Sequence, residues 1–340
     1  MSRQTFLATT GHGLARAWQQ ASGEWQVEYF LAGQDLRCLA AQRTHPDVVY
    51  AGTQGRGVLR SHDGGRTWSA AGLEGQVVKA LAVSPTFPDT VYAGTKPARL
   101  FVSHDAGAHW AELTSFRHIP GRWFWFSPAE KPYRAYVQAI ALSPTDPQTI
   151  LVGIEAGAVV SSRDGGQTWT GHRRGALRDC HSLTFHATHG DWVYEGGGTG
   201  AGVSVSRDAG ASWIQPREGL DQHYGWAVAA DPAQPDVWYA SVTPGARSAH
   251  SENQAHAAIV RSMGGAEWQA LSGGLPQPLN AMPYALLTDS TTPGQVYAGL
   301  SNGEVWHSED HGDTWHQLPF RLGGIHRALL LLPEKKEGQL

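Results

Sequence analysis

The 340-residue chain is poor in cysteine, in charge and in long apolar runs. Its only two cysteines, Cys38 and Cys180, cannot form a disulfide framework, which disfavours a small disulfide-rich scaffold. Charged residues make up 16% and the formal net charge is −4, so neither a disordered chain nor a nucleic-acid partner is expected. No apolar run approaches the roughly 20 residues of a membrane-spanning helix, and no membrane partner is expected.

The first residues also lack the charged and then apolar layout of a signal peptide. Two isolated cysteines suit a reducing compartment. We therefore expect a cytoplasmic protein.

Glycine and tryptophan are abundant instead, with 41 and 14 copies. Many glycines and few charges are typical of short strands joined by tight turns, and helical periodicity is absent. An eight-residue box, SHDGGRTW at 61–68, recurs four more times clearly and twice in a decayed form. The tryptophans that close the boxes are Trp25, Trp68, Trp110, Trp169, Trp213, Trp268 and Trp315.

Successive box tryptophans lie 42 to 59 residues apart. Each period carries two apolar strands, a third strand that leads into the box and a fourth that begins at its tryptophan, which is typical of a propeller blade. The chain begins on a second strand and ends on an orphan first strand. We therefore predict an all-β fold over 1–340, a single seven-bladed β-propeller with four-stranded blades. The C-terminal strand joins the N-terminal blade, so that blade 1 comprises about 1–33 plus 325–333.

The box follows the pattern S-x-D-x-G-x-T-W, and the chain resembles the BNR, or Asp-box, repeat propellers. Sialidases, xyloglucanases, sortilin-type receptors and photosystem II assembly-factor propellers share this box. Because an enzyme needs one site and the box is repeated, we expect a structural role in which its aspartate caps the turn. The box aspartates are Asp63, Asp105, Asp164, Asp208 and Asp310.

Strand alternation places the boxes and the first-to-second turns of the blades on one rim. The second-to-third loops and the blade-to-blade connections lie on the opposite rim. Two long insertions, 114–136 and 243–257, fall on this opposite rim. Long loops on one face of a rigid scaffold usually carry binding, so we expect the functional site there.

One residue enters each innermost strand on this rim, and the seven should surround the mouth of the central channel. They are Arg327, Arg37, Lys79, Gln138, His181, Trp226 and Tyr284. Positions two residues earlier add Tyr136, Asp179 and Tyr224 as candidates. Glu155 follows the second strand of blade 4, and the two insertions add Arg117 and His250. A cationic arc that faces aromatic and carboxylate side chains suits a small anion or a sugar acid.

Histidines are frequent on the same rim. They are His12, His118, His181, His223, His250 and His326. Because none shows H-x-H or H-x-x-x-H spacing, neither a metal site nor a cofactor is expected.

We predict a ligand-binding propeller for a small anionic or carbohydrate-like ligand, with enzymatic activity left open. The alternative is a sialidase-like glycoside hydrolase with Glu155, Asp179 and Tyr284 as catalytic candidates. That resemblance implies an arginine triad on the substrate carboxylate, a tyrosine nucleophile and an aspartic acid/base. Sialidases have six blades and an F-R-I-P motif, whereas this chain has seven predicted blades and FRHIP at 116–120. Xyloglucanases need two propellers to form a cleft, and only one fits here.

A further alternative is a protein-assembly scaffold. The stretch RWFWFSP at 122–128 could form a lid over the mouth or a docking patch. The 114–136 loop would then contact a protein partner.

Overall fold

The structure is a computed structural model that describes residues 4–332. Its strands form seven antiparallel sheets arranged as a seven-bladed β-propeller. Five sheets have four strands, whereas in blades 4 and 5 the outermost position is a single bridge, Ser161–Thr170 and Val205–Ile214. The predicted fold class is confirmed. None of the helices between residues 4 and 332 is long and apolar enough to cross a membrane.

The blades follow one another along the chain. Within each blade, successive strands lie farther from the central channel. Blade 1 contains β1 (Thr5–Thr9), β2 (Leu14–Gln19), β3 (Trp25–Phe30) and, from the other end of the chain, β26 (Leu329–Leu332). Blades 2 and 3 contain β4 (Leu36–Ala41), β5 (Val49–Thr53), β6 (Val58–Ser61), β7 (Ser69–Ala70), β8 (Val77–Val83), β9 (Val91–Lys96), β10 (Leu100–Ser103) and β11 (Ala111–Glu112). Blades 4 and 5 contain β12 (Val137–Leu142), β13 (Ile150–Ile154), β14 (Val159–Ser162), β15 (Cys180–Phe185), β16 (Val193–Gly197) and β17 (Val203–Ser206).

Blades 6 and 7 complete the ring. They contain β18 (Tyr224–Ala230), β19 (Val237–Thr243), β20 (Ala258–Met263), β21 (Gln269–Ala270), β22 (Pro283–Thr288), β23 (Val296–Leu300), β24 (Glu304–Ser308) and β25 (His316–Arg321). The 114–136 insertion holds the 3₁₀ helices Thr114–His118 and Arg122–Phe124. The 243–257 insertion holds a single helical turn, α1 (Ala246–Ala249).

The ring is closed by β26, which pairs antiparallel with β1 from Thr5–Leu332 to Ala8–Leu329. The two faces of β26 bury leucines against different neighbours. Leu329 packs into the core shared with blade 7, and Leu332 into the core shared with blade 2. This pairing gives the innermost edge of β1 a partner, as the sequence predicts.

The Asp-box is a capped turn. Asp63 Oδ1 accepts the backbone N–H groups of Arg66 and Thr67 at 3.0 and 2.8 Å, and its Oδ2 accepts the Thr67 hydroxyl at 2.6 Å. The Ser61 hydroxyl oxygen accepts the Gly65 N–H at 2.9 Å. Burial favours the protonated carboxyl, but the bonds from Thr67 and Ser61 outweigh it and lower the pKa of Asp63 to about 2. Asp63 therefore caps backbone N–H groups of this turn.

The box tryptophan joins each blade to the blade before it. The ring of Trp68 packs into the core that contains Leu7 and Leu14 of blade 1, and its indole N–H donates to Gly65 O at 3.0 Å. The decayed box of blade 6 has Met263 at the aspartate position, yet Trp268 still donates to Pro216 O at 3.2 Å. The tryptophan contact with the preceding blade is therefore kept in a box that has lost its capping aspartate.

Backbone hydrogen bonds show which loops share a rim. Gly64 and Ala106, in the boxes of blades 2 and 3, donate to Asp47 O and Asp89 O of the first-to-second turns at 3.0 and 2.8 Å. On the opposite rim, the Glu155 N–H in a second-to-third loop donates to Tyr136 O at 3.1 Å. The two rims are therefore assigned as predicted.

Replacing the box aspartate tests the capping role. We expect Asp63→Ala to lower the free energy of unfolding by about 1 kcal/mol, because two backbone N–H groups lose their acceptor. Met263→Ala changes the equivalent turn position where no cap exists, and we expect a change below about 0.5 kcal/mol. Urea unfolding monitored by tryptophan fluorescence compares the two. Equal effects would contradict the capping role.

Candidate ligand site at the channel mouth

Innermost strands of blades 2 to 7 each carry a β-bulge where they enter the channel. The ladder register shifts between Leu36 and Cys38 in blade 2, and blades 3 to 7 show a shift at the corresponding place. The residues inside the shifts include Arg37, Lys79, Gln138, His181, Trp226 and Tyr284. A bulged residue leaves the ladder and its side chain is re-aimed. Aligning the seven repeats of this chain identifies these positions. The residue types found there do not predict a bulge.

The six bulged side chains and Arg327 of blade 1 line one cavity of about 220 Å³. All seven predicted ring residues are therefore brought together. The lining contains the cations Arg37, Lys79 and Arg327, and no aspartate or glutamate among residues 4–332 contributes to it. The charged side chains of its lining are therefore all basic.

The Lys79 side chain is fully buried, and its ammonium group bonds to the carboxylate of Glu130 in the 114–136 insertion. Lys96 donates to Glu130 O at 2.7 Å. Burial lowers the pKa of Lys79 to about 8; nearby Arg327 lowers it further and Glu130 opposes the shift. Sequence reasoning missed Glu130 and Lys96, because Glu130 lies in an irregular insertion that no blade pattern aligns.

The two arginines are less well partnered. Arg37 Nη2 bonds to Asp35 Oδ2 at 2.9 Å, but its Nε is buried without a hydrogen-bond partner. Arg327 Nη1 reaches Gln138 Oε1 only at 3.5 Å, and its buried Nε also has no partner. Within residues 4–332, no carboxylate lies within ion-pair distance of Arg327, which leaves this cation available to an anion.

Glu155, Asp179 and His181 form a compact cluster beside the cavity, with one ligand atom of each within 4.8 Å of the others. His181 Nδ1–H donates to Gly225 O at 2.7 Å. Its Nε2 therefore faces Asp179 Oδ2, at 3.4 Å. The Ala156 N–H donates to the other Asp179 oxygen at 3.0 Å.

The three groups shift one another's pKa. Burial raises the pKa of Glu155 to about 7, with His181 opposing and Asp179 adding to the rise. Burial also acts to raise the pKa of Asp179, but the His181 contact prevails and holds it below its ordinary value. Burial alone would lower the pKa of His181, and Asp179 and Glu155 reverse this so that the pKa is raised. At neutral pH Asp179 is therefore ionised, whereas Glu155 is only partly so.

Aromatic rings form the opposite wall. The Trp226 ring stacks on His181 with centroids 4.4 Å apart, and Tyr284 lies 4.9 Å from Trp226. The Tyr284 hydroxyl donates to Ala249 O at 2.8 Å and lies 2.9 Å from His250 Nδ1. Burial raises the pKa of Tyr284 to about 12, so its hydroxyl stays protonated. The 243–257 insertion thus supports this wall through His250.

Other predicted residues lie outside the cavity lining. Arg117 is exposed, and its Nε donates to Glu112 Oε1 at 2.6 Å. Tyr136 is buried, with the Lys79 and Lys96 ammonium groups 4.8 and 5.8 Å from its ring centroid. Burial raises the pKa of Tyr136, and Glu155 adds to the shift. Tyr224 lies behind His181, with its hydroxyl 3.4 Å from Nε2.

The aromatic stretch of the 114–136 insertion forms no lid over this cavity. Trp123 and Phe124 are 78% and 79% exposed, and neither lines the cavity. A docking role for this loop stays a prediction. Cys38 and Cys180 are both buried and free.

The comparisons with known proteins agree with this architecture. The family model of the BNR/Asp-box repeat matches residues 59–70. A GH74 xyloglucanase from Xanthomonas campestris has a TM-score of 0.69 at 20% identity, over 93% of this chain and 52% of that chain. A GH74 enzyme from Niastella koreensis has a TM-score of 0.68 at 16% identity, over 92% and 52%. YCF48 bound to a D1 peptide has a TM-score of 0.55 at 15% identity, over 88% and 93%.

These likenesses define the class of protein. The chain is a seven-bladed β-propeller that carries the BNR/Asp-box repeat at residues 59–70. It spans about half the length of the GH74 structures, and at these identities the likeness shows the fold alone. Comparison with curated proteins gives no match.

Proposed function

We propose that the channel mouth binds a small carboxylate ligand of the sugar-acid class. The observation that carries this proposal is Arg327, a cation without an ion-pair partner among residues 4–332, in a cavity that also receives Arg37 and Lys79. A guanidinium with an unpartnered Nε suits a carboxylate, because it can donate two parallel hydrogen bonds to it.

The size and the walls of the cavity support the same ligand class. A volume of about 220 Å³ lies below the roughly 300–1,000 Å³ of pockets for drug-sized molecules, so the ligand is small. Trp226 and Tyr284 offer apolar ring surface, and Gln138 offers an amide for hydroxyl groups. A sugar ring with a carboxylate would use all three features.

Isothermal titration calorimetry tests this proposal. We expect glucuronate or N-acetylneuraminate to bind, while glucose, which lacks the carboxylate, binds at least about tenfold more weakly. Arg327→Gln should weaken sugar-acid binding by about 10- to 100-fold, the cost of one charge-assisted hydrogen bond. Arg56→Gln, which changes an exposed arginine on the same rim, is the matched control and should bind like the wild type. If no sugar acid binds, or if Arg327→Gln binds as well as the wild type, the proposal fails.

The pH dependence gives a second test. Because Lys79 loses its proton near pH 8, we expect the affinity for the anion to fall about three- to tenfold between pH 7.5 and 9.5. Lys79→Arg keeps a cation that does not titrate in this range, so its affinity should stay nearly constant. An equal fall in the wild type and in Lys79→Arg would show that another group is responsible.

Glycoside hydrolysis is the second candidate function. Glu155 and Asp179 have pKa values shifted in opposite directions, which is the arrangement expected of an acid and a nucleophile or base. Their nearest carboxylate oxygens are no more than 4.8 Å apart, closer to the roughly 5 Å spacing of retaining enzymes than to that of inverting ones. The solved structures to which this chain is similar include GH74 enzymes.

Release of 4-nitrophenol from aryl glycosides tests this candidate. If the wild type turns over, Glu155→Gln should lower kcat/KM by about 100-fold or more, because the general acid is lost. Glu74→Gln, at an exposed glutamate, should leave the rate unchanged. No release from any aryl glycoside would reject the hydrolase and leave the binding proposal intact.

A further inference from the structure

The cluster of Glu155, Asp179 and His181 also has the donor set of a metal site. Glu155 follows β13 in blade 4, whereas Asp179 and His181 flank Cys180 at the start of β15 in blade 5. Metal ligands bind in their deprotonated forms, and with both carboxylates ionised and the imidazole neutral the three groups would carry −2, which a divalent cation neutralises. Mixed oxygen and imidazole donors favour Zn²⁺ or Mn²⁺ over Ca²⁺ and Mg²⁺, which prefer oxygen alone.

The supporting contacts orient the donors as metal ligands are usually oriented. His181 Nδ1–H donates to Gly225 O at 2.7 Å, so the lone pair of the neutral ring lies on Nε2, toward the two carboxylates. The Ala156 N–H holds one oxygen of Asp179 at 3.0 Å and leaves the other free to coordinate. The stacked Trp226 ring, 4.4 Å from His181, fixes the plane of the imidazole.

The contacts of His181 Nε2 with its two polar neighbours are both long. The imidazole side chain is 1% exposed, yet the contacts of Nε2 with Asp179 Oδ2 and with the Tyr224 hydroxyl are both 3.4 Å long. A charge-assisted hydrogen bond is about 2.7–2.9 Å. Two ligands at about 2.1 Å from a tetrahedral ion are about 3.4 Å apart. His181 Nε2 and Asp179 Oδ2 already have this separation, and the cluster atoms all lie within 4.8 Å of one another.

The surroundings allow an ion to enter. A second cavity of about 610 Å³, lined partly by the 114–136 insertion, reaches Asp179, one of the three donors, and also contacts Arg178. The charges of Arg327 and Lys79 act on Glu155 and would repel a metal cation. The ion pair of Lys79 with Glu130 offsets the charge of Lys79.

We propose that Glu155, Asp179 and His181 bind one divalent transition-metal ion, Zn²⁺ or Mn²⁺, with its open coordination position toward the 610 Å³ cavity. The site does not depend on the sugar-acid proposal. The absence of paired-histidine spacing does not argue against it, because only one of its ligands is a histidine.

The test uses the untagged full chain, stripped with EDTA and dialysed. ZnCl₂, MnCl₂, MgCl₂ and CaCl₂ are titrated separately, with thermal unfolding and elemental analysis as readouts. We expect Zn²⁺ or Mn²⁺ to bind at one equivalent and to raise Tm, with little effect of Mg²⁺ or Ca²⁺. Asp179→Asn and His181→Gln should each weaken metal binding at least about tenfold.

Two controls keep the outcome clear. His118→Gln removes an exposed histidine on the same rim and should bind metal like the wild type, while Tyr224→Phe tests the nearby hydroxyl without removing a ligand. Circular dichroism of each metal-free variant establishes that it is folded. Where Asp179→Asn does not fold, Glu155→Gln replaces it. Binding below 0.2 equivalents, or binding unchanged in every folded ligand variant, means an adventitious ion only and overturns the proposal.

Discussion

The β-bulge at the entrance of six innermost strands is the constraint on which the channel mouth depends. In a regular strand the side chain at this position would alternate into one of the two packed interfaces between blades. The bulge removes it from that alternation, so Lys79 and His181 reach the axis while their neighbours Val78 and Cys180 stay in the core. A ring of unlike side chains can then vary without disturbing the packing between blades.

Closure of the ring also determines the position of Arg327 in the cavity. Arg327 precedes β26, the strand that pairs with β1, so the least partnered cation of the cavity is positioned by the two ends of the chain together. The capped boxes and their tryptophans stabilise the rim opposite the channel mouth. The rim that carries the mouth is therefore free to hold groups that contribute little to stability, such as the buried Lys79 and the partly buried arginines.

The repeated box explains how much of the fold is predictable from sequence. Seven tryptophans at blade spacing define the blade count, and the orphan strand at 326–333 predicts closure. The same alignment identifies Arg37, Lys79 and His181 as mouth residues, because each blade supplies one at an equivalent position. Aligning the repeats cannot predict the contacts made by segments that lie outside the repeat. The bond of Glu130 to Lys79 and the position of Arg117 against Glu112 arise in an insertion without a repeat. The Glu155–Asp179–His181 cluster brings a loop of blade 4 against the start of β15 in blade 5.

A crystal structure of the protein with glucuronate would test whether the cations of the channel mouth converge on one anion site. We expect ligand density in the cavity, with the ligand carboxylate within hydrogen-bonding distance of Arg37 and Arg327 and the ligand ring against Trp226 or Tyr284. Ligand density only on exposed arginines outside the channel, or innermost strands without bulges at these six positions, would contradict it.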